Sequence, residues 1–223
     1  ADSIKVTGQD HATLALALVM AVIFAAMLFT AGLSWKYILP VAAMIPPAAI
    51  VAWNFLLDDD KKNRILAVID PTLVEAADSW QQQRGLISIG NGGLWGNGVF
   101  METGQFRYVP EVYNDFIFTY IGETVGFIGC LAVLLVLAFL CIRILSNGLR
   151  APDDLGKYIC VGVFAMIGIQ IIINIGMCLG MMPVIGVTLP FLSAGGTSTG
   201  TLYLAIGVVL SVYVHSGKDR LFG

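Results

Sequence analysis

Long apolar runs alternate with short polar segments along most of the chain, and this pattern predicts a bundle of membrane-spanning helices. A helix rises about 1.5 Å per residue, so roughly 20 apolar residues cross a hydrocarbon core of about 30 Å. Five segments meet or approach this length, namely 12–33, 37–57, 116–142, 158–182 and, more weakly, 195–214. We therefore expect an all-α integral membrane protein, a polytopic bundle of about five transmembrane helices.

The second apolar run is interrupted by Pro40, Pro46 and Pro47. Proline removes a backbone donor, and the carbonyls that it frees at membrane depth need partners from protein or water. We therefore expect this span to face other protein.

Two stretches between the apolar runs are polar or irregular. The large extracytoplasmic loop, 58–115, is rich enough in aromatic and apolar residues to predict that it folds. Its stretch IGNGGLWGNG (89–98) has five glycines, a density that forbids regular helix and lets the backbone approach a ligand or another loop. A re-entrant or irregular segment is expected at 183–198, where backbone must be buried in protein or line a polar cavity.

Composition supports the membrane assignment and excludes other classes. The chain is 57% hydrophobic and 12% charged, whereas soluble domains average roughly 45–50% and about 25%. A net charge of −3 leaves no basic face for nucleic acid. The four cysteines lie in apolar runs without a CxxC pair, which predicts small core or lipid-facing residues and not a zinc site.

Basic residues in the short loops predict the orientation, because they favour the cytoplasmic side. The residues that fall on one side of the predicted topology are Lys36, Arg143, Arg150, Lys157, Lys218 and Arg220. This places the first residue and the 58–115 loop outside, and the C-terminus inside. Residues 1–11 are polar, start with Ala1 and lack the order of a signal peptide, which predicts that the chain begins part-way through a larger protein.

Two acidic residues near the third predicted span are candidates for chemistry. Asp115 stands where a helix is predicted to begin, so it is either a cap or first-turn acid or a functional group. Glu123 lies within an otherwise uncharged run, where an ionisable group is expensive and is usually functional or paired. We expect Glu123 to be paired inside the bundle.

Four motifs resemble those of the SEDS family (shape, elongation, division and sporulation), whose members are RodA, FtsW and SpoVE. VPEVYNDFIFTYIGETVGFIG (109–129) is similar to the family's (L/V)PE-x-x-TDFIF-x-x-xGEExGFxG, and NIGMCLGMMPVIGVTLPFLSAGGTS (174–198) to its second signature. DPTLVEAADSWQQQRGLISIGNGGLWGNG (70–98) and GQD (8–10) match in the same order. The match covers the C-terminal half of a family with about ten spans, and VPE (109–111) leans towards RodA.

The resemblance implies a peptidoglycan glycosyltransferase that polymerises lipid II on the outer face of the bacterial cytoplasmic membrane. It also implies a class B penicillin-binding protein as partner. The family's essential aspartate falls on Asp115, as general base or as an aid to orienting the acceptor. The candidate substrate contacts are Glu111, Glu123, Arg84, Arg107, Gln81, Gly92, Gly93, Ser193, Gly195 and Gly196. A divalent cation, Mg²⁺ or Mn²⁺, on the diphosphate is a further expectation, although the sequence shows no ligand cluster.

Several departures from the family pattern leave open how the substrate is recognised, but the family's aspartate is retained at Asp115. The departures are Asn114, Thr124, Ala194 and the pair Arg84-Gly85. Two other functions remain alternatives: a lipid transporter or flippase, and a non-catalytic scaffold of the elongation or division complex. The half chain alone is expected to be inactive.

Overall fold

The structure is a computed structural model that describes residues 2–57, 59–70, 76–98 and 113–222. Its seven α-helices are α1 (Asp2–Thr30), α2 (Trp35–Val51), α3 (Asp59–Ile69), α4 (Ala76–Gly92), α5 (Ile117–Leu149), α6 (Asp154–Cys178) and α7 (Gly196–Phe222). A short π-helix, Ala52–Leu56, continues α2. The described residues contain no strand, and the predicted all-α architecture is confirmed.

Among the described residues, three helices are long and apolar enough to cross a bilayer: α5, α6 and the Gly196–Ser216 part of α7. α5 has 33 residues with a break at Gly126, and its unbroken part after the break, 127–149, is about 35 Å long, which exceeds a hydrocarbon core of about 30 Å. The apolar stretch of α1 within the described side chains is Leu16–Thr30, and α2 has 17 residues. Crossing by α1 and α2, and with it the count of five spans, stays a prediction.

The core is built on the pair α5 and α6, which the short turn 150–153 connects. Asp153 caps α6, because the backbone N–H of Gly156 donates to its carboxylate at 3.2 Å. The two helices approach closely at Gly148, where a Cβ atom would lie 2.7 Å from Cys160 Cβ. All four cysteines are free and buried, as expected for small core residues.

Three further helices and an irregular segment pack on this pair, and one of these helices, α1, packs along α6. α4 packs along α5, and α7 packs against α6 and α5. Buried side chains form one cluster where the start of α5, the end of α6 and residues 183–195 meet: Phe116, Phe118, Cys130, Leu137, Ile175, Met177, Cys178 and Leu189. This cluster fixes the irregular segment beside the start of α5.

The prolines of α2 lie inside the helix at Pro40, Pro46 and Pro47. Described side chains of α2 are exposed, including Leu39 at 65% and Met44 at 68%. The described residues therefore do not cover this face of α2, and its contact with other protein stays a prediction.

The helix α4 corrects the expectation for the glycine-rich stretch 89–98. It continues through Gly90 and ends at Gly92, so the prediction that residues 89–98 cannot be helical is wrong for 89–92. A glycine costs about 1 kcal/mol in a helix, and packing of α4 against α5 outweighs this local preference. Irregular backbone begins only at Gly93.

Candidate active site

α5 is broken at Gly126, whose φ of 75° and ψ of −167° are not helical. A break removes the helical hydrogen bonds on either side, and the freed groups need other partners. The turn 93–98, which follows α4, supplies partners for four of them. The bonds run from Asn97 N to Glu123 O (2.9 Å), Gly98 N to Thr124 O (2.9 Å), Phe127 N to Gly93 O (2.9 Å) and Ile128 N to Leu94 O (3.3 Å).

Glycine is required where this turn meets α5. A Cβ atom at Gly92 would overlap the carbonyl oxygen of Gly122, and one at Gly96 would overlap that of Thr124. Gly96 also has a φ of 78°, which side-chain-bearing residues rarely adopt. The sequence predicts Gly92 and Gly93 as substrate contacts. The structure places the buried Gly92 in the contact between α4 and α5, whereas Gly93 is exposed and bonds to α5 through its carbonyl oxygen, so its substrate contact stays a prediction.

Asp115 lies in the turn 113–116 that leads into α5. The N-cap position of α5 is Phe116, which makes no side-chain cap hydrogen bond, and Asp115 precedes this position by one residue. The main chain of Asp115 is held by Asn174 of α6. The fully buried side-chain amide of Asn174 donates to Asp115 O at 2.8 Å and to Val187 O at 2.6 Å.

The carboxylate of Asp115 faces the irregular segment. A Cβ atom at Gly186, where φ is 72°, would lie 3.4 Å from Asp115 Oδ2. Asp115 is half-buried. A half-buried carboxylate on a fixed backbone retains access to a ligand while its direction is set by the protein.

Residues 183–195 have no regular secondary structure, and α7 begins at Gly196. Backbone hydrogen bonds tie this segment to the turn that carries Asp115, since Ala194 N donates to Tyr113 O at 2.8 Å. Ser193 is 9% exposed, and its hydroxyl accepts from Leu189 N at 2.8 Å. Of the predicted contacts here, Ser193 thus stabilises the segment, while Gly195 is half-exposed and Gly196 exposed.

Glu123 is 4% exposed and accepts a hydrogen bond from the hydroxyl of Ser88 in α4. The pairing expected for an acid in this apolar run is therefore present. The contact joins α4 to α5 three residues before the break at Gly126. It gives Glu123 a structural role in the helix packing.

Other predicted contacts lie on α4 or fall outside the described residues. The guanidinium of Arg84 lies 4.7 Å from the ring centre of Trp80, one turn earlier, and Gln81 is half-buried beside it. Such a cation–π contact leaves the edge of the guanidinium able to donate. Glu111 and Arg107 lie outside the described residues.

Three polar residues that organise the site were not singled out from the sequence: Asn174, Gln82 and Arg64. Gln82 is 6% exposed, and its amide donates to Met177 O at 2.9 Å and Met182 O at 2.8 Å, at the end of α6. Arg64 of α3 donates to Val184 O at 2.9 Å. The available signal was strongest for Asn174, an amide inside an apolar run, where an unpaired polar group would be costly.

Within the part of the chain that the structure describes, no group of three or more His, Cys, Asp and Glu side chains could hold a metal ion. Asp115 and Glu123 face different elements, the segment 183–195 and α4. These two carboxylates therefore do not face a common element.

A family model described as cell cycle protein, built on FtsW, RodA and SpoVE, matches residues 6–218. The chain belongs to this family. Together with the three helices that can cross a bilayer, membership makes it a multi-pass membrane protein.

Individual relatives agree with the family match. Stage V sporulation protein E of Bacillus subtilis (strain 168) is 40% identical over 153 residues, which are 69% of this chain and 42% of the relative. Peptidoglycan glycosyltransferase MrdB of Escherichia coli (strain K12) is 34% identical over 194 residues, 85% of this chain and 51% of MrdB. The chain thus spans about half the length of the curated relatives it matches.

A solved structure also matches this chain. It is described as "Structural coordination of polymerization and crosslinking by a peptidoglycan synthase complex". The TM-score is 0.72 at 25% identity, and the match covers 90% of this chain and 55% of the solved chain.

Proposed function

We propose that the complete protein carrying this chain is a peptidoglycan glycosyltransferase that polymerises lipid II. The observation that carries the proposal is the setting of Asp115. Its main chain is fixed by the buried Asn174, and its half-buried carboxylate faces Gly186 in the irregular segment. The relative MrdB, which bears the same activity in its name, supports this assignment.

The reaction joins two lipid-linked disaccharides. A sugar hydroxyl of the acceptor attacks the anomeric carbon of the donor, a new carbon–oxygen bond forms, and the bond to the donor's lipid diphosphate breaks. Asp115 accepts the proton of the attacking hydroxyl, and a positioned general base of this kind contributes about 10²–10⁴-fold to the rate. The hydrogen bonds of Asn174 hold the base in one place, which lowers the entropic cost of the step.

The proposal includes a location and a partner. With the basic side of the topology in the cytoplasm, Asp115 and the 58–115 loop lie on the outer face of the bacterial cytoplasmic membrane. The first residue is then outside and the C-terminus inside. A class B penicillin-binding protein that cross-links the new strands is the proposed partner, a proposal that the similarity to a chain of a peptidoglycan synthase complex supports.

Purified complete protein in lipid nanodiscs, supplied with lipid II, tests the proposal. We expect glycan strands, seen as a ladder on a gel and digested by a muramidase. In sealed vesicles, movement of lipid II across the bilayer by folded protein that makes no strands would contradict the proposal and favour a flippase.

A further inference from the structure

A cavity of about 470 Å³ is bounded by α1, α3, α6 and residues 182–185. Ten of its twelve described lining residues are apolar, and the other two are Lys61 and Arg64 of α3. None of these lining residues is acidic. The volume falls within the roughly 300–1,000 Å³ of ordinary small-ligand sites.

Lys61 and Arg64 both lie on the side of α3 that borders the cavity, because residues three apart in a helix share a face. One N–H of Arg64 donates to Val184 O at 2.9 Å. A guanidinium has five N–H donors in a rigid fork, so this bond orients the group and leaves others for a ligand. The neighbouring Lys62 does not line the cavity, and it pairs with Asp59 at 3.7 Å.

The cavity adjoins the proposed base through one short stretch of chain. Pro183, Val184 and Ile185 line the cavity, and the next residue, Gly186, faces the carboxylate of Asp115. Two residues of extended chain span at most about 7 Å. The carbonyl of Val184 positions Arg64. Val184 and Gly186 therefore lie within about 7 Å of each other, a distance that one sugar headgroup can span.

We propose that this cavity binds the polyprenyl diphosphate of the donor lipid, an assignment that rests on the proposed function. Lys61 and Arg64 bind the diphosphate, and the apolar walls contact the first isoprenoid units. Charge develops on the diphosphate as its bond to the anomeric carbon breaks, and fixed cations at that position stabilise the departing group. The same site places the anomeric carbon between the diphosphate and Asp115.

Binding of geranylgeranyl diphosphate to the complete protein in phosphatidylcholine nanodiscs tests the site without turnover. Geranylgeraniol, which lacks the diphosphate, is the comparison ligand, and phosphatidylglycerol is the competing anionic lipid. The variants are Lys61→Gln, Arg64→Gln and Arg64→Lys, with Lys62→Gln as the matched control. A melting curve for each variant reports folding.

We expect Lys61→Gln and Arg64→Gln to weaken diphosphate binding about 10- to 100-fold, the range that a charge-assisted hydrogen bond supplies. Arg64→Lys should retain part of the affinity, because it keeps a cation and one donor. Lys62→Gln should bind as wild type does, and geranylgeraniol should bind more weakly.

Three results would overturn the site: equal diphosphate binding by all variants, equal affinity for the alcohol, or full displacement by phosphatidylglycerol at matched concentration. Arg64 could serve only to connect α3 to the irregular segment. In that case Arg64→Gln would lower the melting temperature, and Lys61→Gln would not weaken diphosphate binding. The binding measurement does not require polymerisation. A protein that binds the diphosphate but makes no strands would therefore contradict the proposed function and not the site, so the two failures are distinguishable.

Discussion

Two carboxylates near the start of α5 have different surroundings. Asp115 lies in the turn before the helix, half-buried, with its main chain held by Asn174. Glu123, eight residues later, is 4% exposed and bonded to Ser88. Glu123 is buried and accepts a hydrogen bond from α4, whereas Asp115 is half-buried beside irregular backbone. The proposed roles of the two acids therefore differ because of their surroundings and not because of their residue type.

The region of Glu123 depends on the turn 93–98. This turn supplies hydrogen-bond partners on both sides of the break at Gly126, and the close approach of α4 to α5 brings Ser88 to Glu123. The region of Asp115 depends on contacts between α6 and the irregular segment. Disturbing each support separately sharpens the contrast.

The largest effect on stability is expected from Gly96→Ala. The new Cβ atom would overlap Thr124 O, and the φ of 78° would be strained. Strain and overpacking together predict a loss of about 2–5 kcal/mol, measured as a lower melting temperature in detergent.

Gly90→Ala is the matched control for that substitution. A Cβ atom at Gly90 has no neighbour within 4 Å, and alanine in α4 should be neutral or stabilise by up to about 1 kcal/mol. Equal melting temperatures for Gly96→Ala and wild type would show that the turn does not support α5.

A smaller loss of stability with a clear loss of activity is expected from Asn174→Leu. This change keeps the size but leaves Asp115 O and Val187 O without their amide donor, which costs about 1–3 kcal/mol. Because Asp115 is no longer held in place, the polymerisation rate of the remaining folded protein should fall about tenfold or more. A rate that follows the folded fraction alone, with Ile172→Leu on the exposed face as control, would contradict this positioning role.

The helical class and the main apolar helices were predictable from hydropathy, because a bilayer imposes length and apolarity on any helix that crosses it. The site was predictable only through motifs. Asn174 and Gln82 are recognisable as polar residues, but their partners are carbonyls of other elements that pattern alone cannot pair. A dense run of glycines predicts close approach of a ligand and close approach of another helix equally well. At Gly92 the structure shows close approach of α5.

The surroundings of α2 show the limit of a local rule. Its prolines predict protein neighbours, and Leu39 and Met44 are exposed in the part of the chain that the structure describes. Proline spacing does not encode which element covers a span, so the neighbours of α2 stay a prediction.

The most direct measurement compares Asp115→Asn with Glu123→Gln in the complete protein, by lipid II polymerisation rate and by melting temperature. The account predicts that Asp115→Asn lowers the rate about 10²–10⁴-fold, because the proton acceptor is lost, with a nearly unchanged melting temperature. Glu123→Gln should lower the melting temperature and reduce the rate only as far as folded protein is lost. Near-normal polymerisation by Asp115→Asn, or an equally deep loss in a fully folded Glu123→Gln, would contradict the assignment of the base.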